Sequence, residues 1–223
     1  QTKNRDIFKF ANSMLSSNEG GQDMYKAQNE IKKIYYEIES QFILKPVHES
    51  FSKLSGIANE LAKEQDKDLE FIVEESDLRI NEAEYGGFFD SLIHIVRNCV
   101  DHGIESKEKR KLFKKKEKGV IKVSFEKQSK FYFKCTISDD GRGIDPLLIK
   151  EKAQTIKKYS RDALLKMTEQ EMYQIIFEPG FSTKQEVDHV SGRGIGMDVI
   201  KSSVLQLDGD ISISSKLGEG TSF

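Results

Sequence analysis

The sequence has only two cysteines, no long apolar run and almost no excess of charge of either sign. Cys99 and Cys135 lie in apolar surroundings without neighbouring ligands, which argues against a disulfide framework or a zinc site and predicts a reduced, cytoplasmic setting. No stretch approaches the roughly 20 apolar residues that span a bilayer, and no signal-peptide pattern is visible. With 35 basic and 37 acidic residues the net charge is −2, so we expect no nucleic-acid partner and no membrane contact.

What is present is the composition of a folded domain, with 37% hydrophobic and 32% charged residues. Residues 1–45 carry two amphipathic runs separated by a turn-forming segment, and the second run has an apolar stripe from Ile31 to Ile43. They predict a helical hairpin, and we hypothesise that it forms a homodimer because its stripe must be buried somewhere. Pro46 marks the start of a second domain over residues 46–223. Since the chain begins without Met and stops where a strand should start, we expect a fragment of a longer protein.

Helices and strands are mixed after Pro46. The pattern predicts helices near 47–63, 82–101, 146–154 and 196–207, and strands near 68–73, 120–127, 131–138 and 210–215. Because strands and helices do not alternate regularly, we expect an α+β fold, a two-layer α/β sandwich with a mixed sheet. The basic run over residues 107–118 is typical of solvated surface, with a docking patch for an acidic partner as a secondary hypothesis.

One predicted helix, over residues 88–102, carries four polar residues at helical spacing. His94, Asn98, Asp101 and His102 stand at i, i+4, i+7 and i+8, which places them on one face. The amide oxygen of Asn98 can bind Mg²⁺ beside phosphate oxygens, and His94 could orient or deprotonate a phosphoryl acceptor. A solvated polar face would show the same spacing, so this pattern does not decide by itself.

A second candidate is Asp139-Asp140-Gly141-Arg142-Gly143, which follows an apolar strand. A carboxylate at a strand end can accept a hydrogen bond from the exocyclic amine of adenine, and the glycines let the backbone approach a flat ring. Aspartate and glycine also dominate ordinary turns, so an ordinary turn is the alternative.

Three further glycines open a predicted helix in Ser191-Gly192-Arg193-Gly194-Ile195-Gly196-Met197. Converging N–H groups and a helix N-terminus there favour an anion site. A dinucleotide-binding loop would need a strand directly before the glycines, and a Walker A loop would need Gly-Lys-Ser/Thr, so both are excluded. Residues 155–190, with one helix near 168–176, are typical of a lid or binding loop. The phenylalanines of segment 177–183 could fold it onto the domain when a ligand arrives, or could simply anchor a turn.

In this order the motifs resemble those of the gyrase/histidine-kinase ATPase superfamily, and most closely those of CheA-type, chemotaxis-like sensor histidine kinases. Residues 94–105, His-Ile-Val-Arg-Asn-Cys-Val-Asp-His-Gly-Ile-Glu, resemble the N box. Segments 139–143, 177–183, 191–200 and 218–222 resemble the first glycine box, the F box, the second glycine box and the last glycine box. The resemblance covers about residues 44–223.

This resemblance implies ATP and Mg²⁺ as cofactors. Asn98 would bind Mg²⁺, His94 and His102 would lie near the phosphates as catalytic residues with Asn98, and Asp139 would bind adenine. Residues 155–190 would form the ATP lid. The other nucleotide-binding positions that it implies are Asp101, Gly141, Gly143, Ser182, Thr183, Gly192, Gly194, Gly196, Met197 and Thr221.

The resemblance also implies a reaction and its partners. The γ-phosphate would pass to a histidine on a separate phosphotransfer domain, in cis or in trans, and then to a response regulator of a two-component system. Gyrase-like ATPases place a glutamate four residues before the asparagine, and His94 at that position argues against hydrolysis. His48 with Glu49 is similar to an acceptor box, although the apolar context is more typical of a linker. The alternative function is a degenerate nucleotide-binding scaffold or regulatory module.

Overall fold

The structure is a computed structural model that describes residues 29, 31–34, 44–129, 132–155, 159–181 and 196–223. The chain divides into two units, Gln1–Lys45 with Arg79–Asn81, and Pro46–Leu78 with Glu82–Phe223. Most of the predicted hairpin, residues 1–45, lies outside the described residues, so the hairpin and the dimer remain predictions. None of the described helices is both long and apolar enough to cross a membrane.

From residue 44 onward, the described residues form seven strands and eight α-helices, and residues 31–34 before them are also helical. The strands are β1 Leu44–Pro46, β2 Leu69–Val73, β3 Arg79–Asn81, β4 Gly119–Lys127, β5 Phe133–Asp139, β6 Ser214–Lys216 and β7 Gly220–Ser222. The α-helices are α1 Ser52–Glu64, α2 Glu82–Ser91, α3 Ile93–Asn98, α4 Lys107–Leu112, α5 Pro146–Thr155, α6 Arg161–Lys166, α7 Glu169–Gln174 and α8 Met197–Leu205. Short 3-10 turns occupy Val47–Phe51 and Ile175–Phe177, and a π turn occupies Cys99–Gly103.

The larger unit contains one mixed sheet with the strand order β2-β4-β5-β7-β6. β2 and β4 are parallel, whereas the other neighbouring pairs are antiparallel. Strand β4 lies between β2 and β5, and its side chains alternate: Ile121 and Val123 are fully buried, while Lys122 between them is exposed. The predicted α+β sandwich with a mixed sheet is therefore confirmed. β1 and β3 form a separate two-stranded sheet that the pattern did not predict.

Helices cover the sheet through apolar faces at helical spacing. Leu54, Ala58 and Ala62 of α1 are buried at i, i+4 and i+8. Phe51, just before α1, packs edge-on against Phe89 of α2 and Phe125 of β4, with ring centroids 5.4 and 5.1 Å apart. Helix α3 packs between α1 and α8, so its polar residues are positioned by two neighbouring helices.

Three predicted elements differ from the structure. The helix expected at 82–101 is interrupted at Leu92 and ends in the π turn, whose closing bond runs from Ile104 N–H to the Cys99 carbonyl at 2.7 Å. The strand expected at 210–215 begins only at Ser214. The basic run at 107–118 contains helix α4, which the apolar pattern did not predict. The buried residue of this helix is Arg110, which is held by ion pairs rather than by apolar contacts.

The segment expected to be a long lid is partly a packed structure. Residues 159–181 contain α6 and α7, each begun by a side-chain cap, and the cap on α7 is a reciprocal Thr168–Glu171 pair. Phe177 and Phe181 are only 1% and 5% exposed. Of the two alternatives for these phenylalanines, the anchored turn agrees with the structure, because both side chains are buried in the core.

Candidate functional site

Asp139 ends β5 in the interior of the sheet, opposite Ile121 of β4 and Thr221 of β7. The residue is only 8% exposed. Its Oδ1 accepts a hydrogen bond from the backbone N–H of Gly141 at 2.9 Å, and its carboxylate also interacts with the Cys99 thiol and the Thr221 backbone. The structure thus fixes this carboxylate at a strand end, as the sequence predicts.

The protonation of Asp139 is set mainly by its burial. Desolvation raises the pKa of Asp139 to about 6, although the bonds from Gly141, Cys99 and Thr221 oppose the rise. At neutral pH the group is therefore mostly an ionised acceptor. Burial, and then the nearby Asp139 charge, raise the pKa of the Cys99 thiol well above its ordinary value, so the thiol is the proton donor in this pair. This role of Cys99 could not be predicted from the sequence, because Cys99 has the pattern of an ordinary core residue.

Two glycines let the backbone after Asp139 close in on its neighbours. A Cβ at Gly141 would collide with the Gly103 carbonyl and stand 2.7 Å from the Asp139 Oδ1. Gly143 has φ +73°, and a Cβ there would meet the Lys216 carbonyl. Both positions therefore require glycine, and they hold the Asp139 loop against the π turn and β6.

A second group of predicted residues meets at the start of α8. Asn98 is the last residue of α3, and its Nδ2 lies 2.9 Å from Sδ of Met197, the first residue of α8. Gly196 precedes that helix in an extended conformation and has no side chain to cap it. The first N–H groups of α8 carry the positive end of the helix dipole. The amide of Asn98 therefore lies where an anion would be favoured.

His94 lies one turn before Asn98 and is half-buried. Burial lowers the pKa of His94, the positive charge of Arg97 lowers it further, and Asp198 in the first turn of α8 opposes them. The imidazole is therefore neutral at pH 7, which is the form that can accept a proton.

Asp101 and His102 fall in the π turn, so the α-helical spacing does not extend to them. Asp101 accepts a hydrogen bond from Gln65 Nε2, beyond the end of α1, at 2.7 Å, whereas Asn98 contacts α8. The prediction that all four polar residues share one face is therefore wrong for Asp101. The His102 side chain is exposed, and its carbonyl accepts a hydrogen bond from Arg142 Nε at 2.6 Å.

Some of the remaining predicted residues lie outside the described part of the chain, whereas Thr221 and His48 lie within it. Ser182, Thr183, Gly192 and Gly194 lie outside the described residues, as does the first half of the second glycine box, residues 191–195. Thr221 is buried, and its hydroxyl lies 3.0 Å from the hydroxyl of Ser215. His48 is exposed in the 3-10 turn before α1.

Sequence reasoning also missed the cations that hold the π turn and the Asp139 loop. Lys67 Nζ donates to the Val100 carbonyl at 2.6 Å, which caps the end of the helix that carries Asn98. Arg110 and Lys115 belong to the run predicted to be solvated, but their side chains are 1% and 16% exposed. The prediction of a solvated run is therefore wrong for these two residues. The only sequence signals for a role in holding the Asp139 loop were their charge and their position after the N box.

Comparison with known proteins identifies the family and the fold. The family model described as histidine kinase-, DNA gyrase B- and HSP90-like ATPase matches residues 88–223, well over half of the chain. The chain therefore belongs to this ATPase family. The catalytic domain of histidine kinase ThkA has a similar fold, with a TM-score of 0.51 at 17% identity, over 82% of this chain and 92% of that one.

The similar curated proteins include a sensor histidine kinase CheAY and several chemotaxis proteins CheA. The chain is 39% identical over 178 residues to the sensor histidine kinase CheAY of Helicobacter pylori, covering 80% of this chain and 22% of that protein. It is also 39% identical over 180 residues to the chemotaxis protein CheA of Halobacterium salinarum, covering 81% and 27%. The chain spans about a quarter of the length of these relatives. The CheA-type resemblance expected from the motifs is confirmed.

Proposed function

We propose that this chain is the ATP-binding catalytic core of a CheA-type histidine kinase. It transfers the γ-phosphoryl group of ATP to a histidine on a separate phosphotransfer domain, which then passes it to a response regulator in two-component signalling. The observation that carries this proposal is the buried carboxylate of Asp139, held at a strand end beside close-packed glycine backbone. Cys99 and Cys135 are both free thiols, which is consistent with a reduced, cytoplasmic setting.

Asp139 supplies the group that recognises adenine. The ionised carboxylate accepts a hydrogen bond from the exocyclic amine, and its fixed direction selects a base that carries a donor at that place. Because Gly141 and Gly143 have no side chains, the ring can lie close to the loop. The backbone of Thr221 also forms a hydrogen bond with the Asp139 carboxylate, which helps to fix the orientation of that carboxylate.

The phosphates lie toward Asn98 and the start of α8 in this proposal. Among the described residues, no group of three or more His, Cys, Asp or Glu side chains could hold a metal ion. This donor set suits Mg²⁺ bound chiefly through nucleotide phosphates and water, with Asn98 as its protein ligand. The Asn98 nitrogen donates to Met197, so its carbonyl oxygen is the atom for a cation. Mg²⁺ would neutralise charge that develops on the phosphoryl oxygens.

His94 distinguishes transfer from hydrolysis. A carboxylate base that activates water is absent at this position, and the neutral imidazole can instead accept a hydrogen bond from the incoming acceptor histidine or orient it. Asp198, close enough to oppose the lowering of the His94 pKa, would keep the ring oriented beside α8.

The proposal is tested by phosphotransfer from γ-labelled ATP to a phosphotransfer domain taken from a CheA relative. We expect label on the acceptor histidine in the presence of Mg²⁺, and a loss of at least about a hundredfold in rate for Asn98→Ala, because the metal loses its protein ligand. Asn59→Ala, at an exposed position of α1, is the matched control and should keep the wild-type rate.

Release of labelled phosphate without acceptor labelling would favour a hydrolase and contradict the proposal. Failure of the wild-type chain to bind ATP would favour the scaffold alternative. Wild-type transfer by Asn98→Ala would remove Asn98 from the mechanism.

A further inference from the structure

Four charged side chains form a network behind the Asp139 loop. Glu105 shares its carboxylate between Arg110 Nη1 at 3.1 Å and Lys115 Nζ at 2.7 Å. Arg110 also binds the carboxylate of Asp140, with Nη2 to Oδ2 at 2.7 Å and Nη1 to Oδ1 at 3.2 Å. Two cations and two anions therefore balance, and both Glu105 and Arg110 are buried.

The network is attached directly to the backbone of the loop. Lys115 Nζ donates to the carbonyls of Asp140 and Gly141 at 2.9 and 2.6 Å. Asp140 Oδ1 accepts the backbone N–H of Val120 at 2.8 Å, which ties the loop to β4. The N–H of Gly141 in turn binds the Asp139 carboxylate. The peptide unit that orients Asp139 is thus held on its other side by Lys115.

Arg110 also binds the backbone of segment 105–118, to which Arg110 and Lys115 both belong. Arg110 Nε donates to the Lys116 carbonyl at 2.7 Å, and Nη2 donates to the Lys118 carbonyl at 3.2 Å. Helix α4 begins at a Ser106 cap, and the chain then returns around Arg110 to β4. Segment 105–118 therefore forms a support with a buried centre.

We propose that Arg110 and Lys115 are positioning residues of the adenine site, which hold the loop so that Asp139 and Gly141 meet the base. This inference rests on the proposed function. Burying Glu105 and Arg110 costs desolvation, and an apolar core of the same size would often be as stable. Direct bonds to the carbonyls on either side of the Gly141 nitrogen favour a role in geometry, because buried polar contacts fix a single arrangement.

Lys115→Met tests the proposal, because it removes the donor to the two loop carbonyls at similar length. Affinities for ATP and for inosine triphosphate are compared by calorimetry, since hypoxanthine carries an oxygen where adenine carries its amine. We expect ATP to bind about tenfold more weakly, the effect of one misplaced charged hydrogen bond, and inosine triphosphate to change less. Selectivity for adenine should therefore shrink. Lys116→Met, at an exposed neighbouring position, should leave both affinities unchanged.

A charge-balanced variant separates geometry from an unpaired charge. Glu105→Gln combined with Lys115→Met removes one charge of each sign, so the loss of adenine selectivity should persist if the loop contacts matter. Recovery of wild-type selectivity in the double variant would overturn the proposal, as would an unchanged selectivity in folded Lys115→Met. Failure of both variants to fold would also overturn it, since the network would then serve the fold. If the wild-type chain shows no ATP binding at all, the proposed function fails first.

Discussion

Two ends of the candidate site are built from different materials. The adenine end, comprising Asp139, Gly141 and Gly143, is fixed by backbone contacts too close for any side chain and by a buried carboxylate. The phosphate end, comprising His94, Asn98 and the start of α8, has half-buried side chains and a single amide–thioether contact across two helices. The adenine end is thus preorganised by the fold. At the phosphate end, the side chains of His94 and Asn98 act only when nucleotide phosphates and a cation are bound.

This difference has a consequence for substitutions. At the adenine end a change of one methyl group must displace backbone, because backbone atoms and Asp139 are what it meets. At the phosphate end a side chain can be shortened with little disturbance of packing. We therefore expect changes at the adenine end to affect binding and stability together, and changes at the phosphate end to affect transfer and Mg²⁺-dependent binding with little effect on stability.

Gly141→Ala should have the largest effect on binding, because its Cβ would collide with the Gly103 carbonyl and crowd Asp139. We expect ATP affinity to fall by at least about a hundredfold and the free energy of unfolding to fall by about 2–3 kcal/mol. Calorimetry and thermal denaturation measure the two effects.

Gly87→Ala in α2 is the matched control, because its Cβ would meet nothing within 4 Å. It should leave ATP affinity unchanged and raise the free energy of unfolding by up to about 1 kcal/mol, since alanine favours the helix. Wild-type binding by Gly141→Ala would show that the close contact does not shape the site.

The pH dependence of adenosine binding should show a smaller effect and isolates the adenine end, because adenosine has no phosphate to reach His94. The pKa of Asp139 is raised to about 6, so the accepting carboxylate forms as pH rises through that value. Affinity should rise about tenfold from pH 5 to pH 7 and then level off. Calorimetry across this range measures it, and Asp139→Asn should remove the dependence.

The stability contribution of Asp139 should run in the opposite direction. Its pKa in the folded protein lies above the ordinary value of 3.8, so the unliganded fold holds this proton more tightly than the unfolded chain. The contribution is full below about pH 4 and is lost as pH rises through about 6, by at most about 3 kcal/mol. An adenosine affinity that falls between pH 5 and pH 7 would contradict the role assigned to the carboxylate.

The sequence predicted the parts of this site that depend on local patterns. Asp139 ends a strand because apolar alternation stops there and glycines follow, and both features are readable in one short window. Asn98 was identifiable from its place in the N box. The mixed sheet followed from the irregular order of helices and strands.

The sequence could not predict which side chains of distant segments pair with each other. Arg110 looks like one member of a basic run, and its burial becomes apparent only when Asp140, thirty positions later, folds beside it. The bond between Cys99 and Asp139 is equally non-local. The π turn also escapes prediction, because it changes hydrogen bonding without changing the helical pattern that precedes it, and Asp101 is displaced as a result.

The most direct test of the account is calorimetric titration of the chain with a non-hydrolysable ATP analogue, with and without Mg²⁺. We predict Mg²⁺-dependent binding that is lost in Asp139→Ala and retained in Asp90→Ala, an exposed position of α2. An absence of binding at millimolar nucleotide, or equal binding by Asp139→Ala and the wild-type chain, would contradict it.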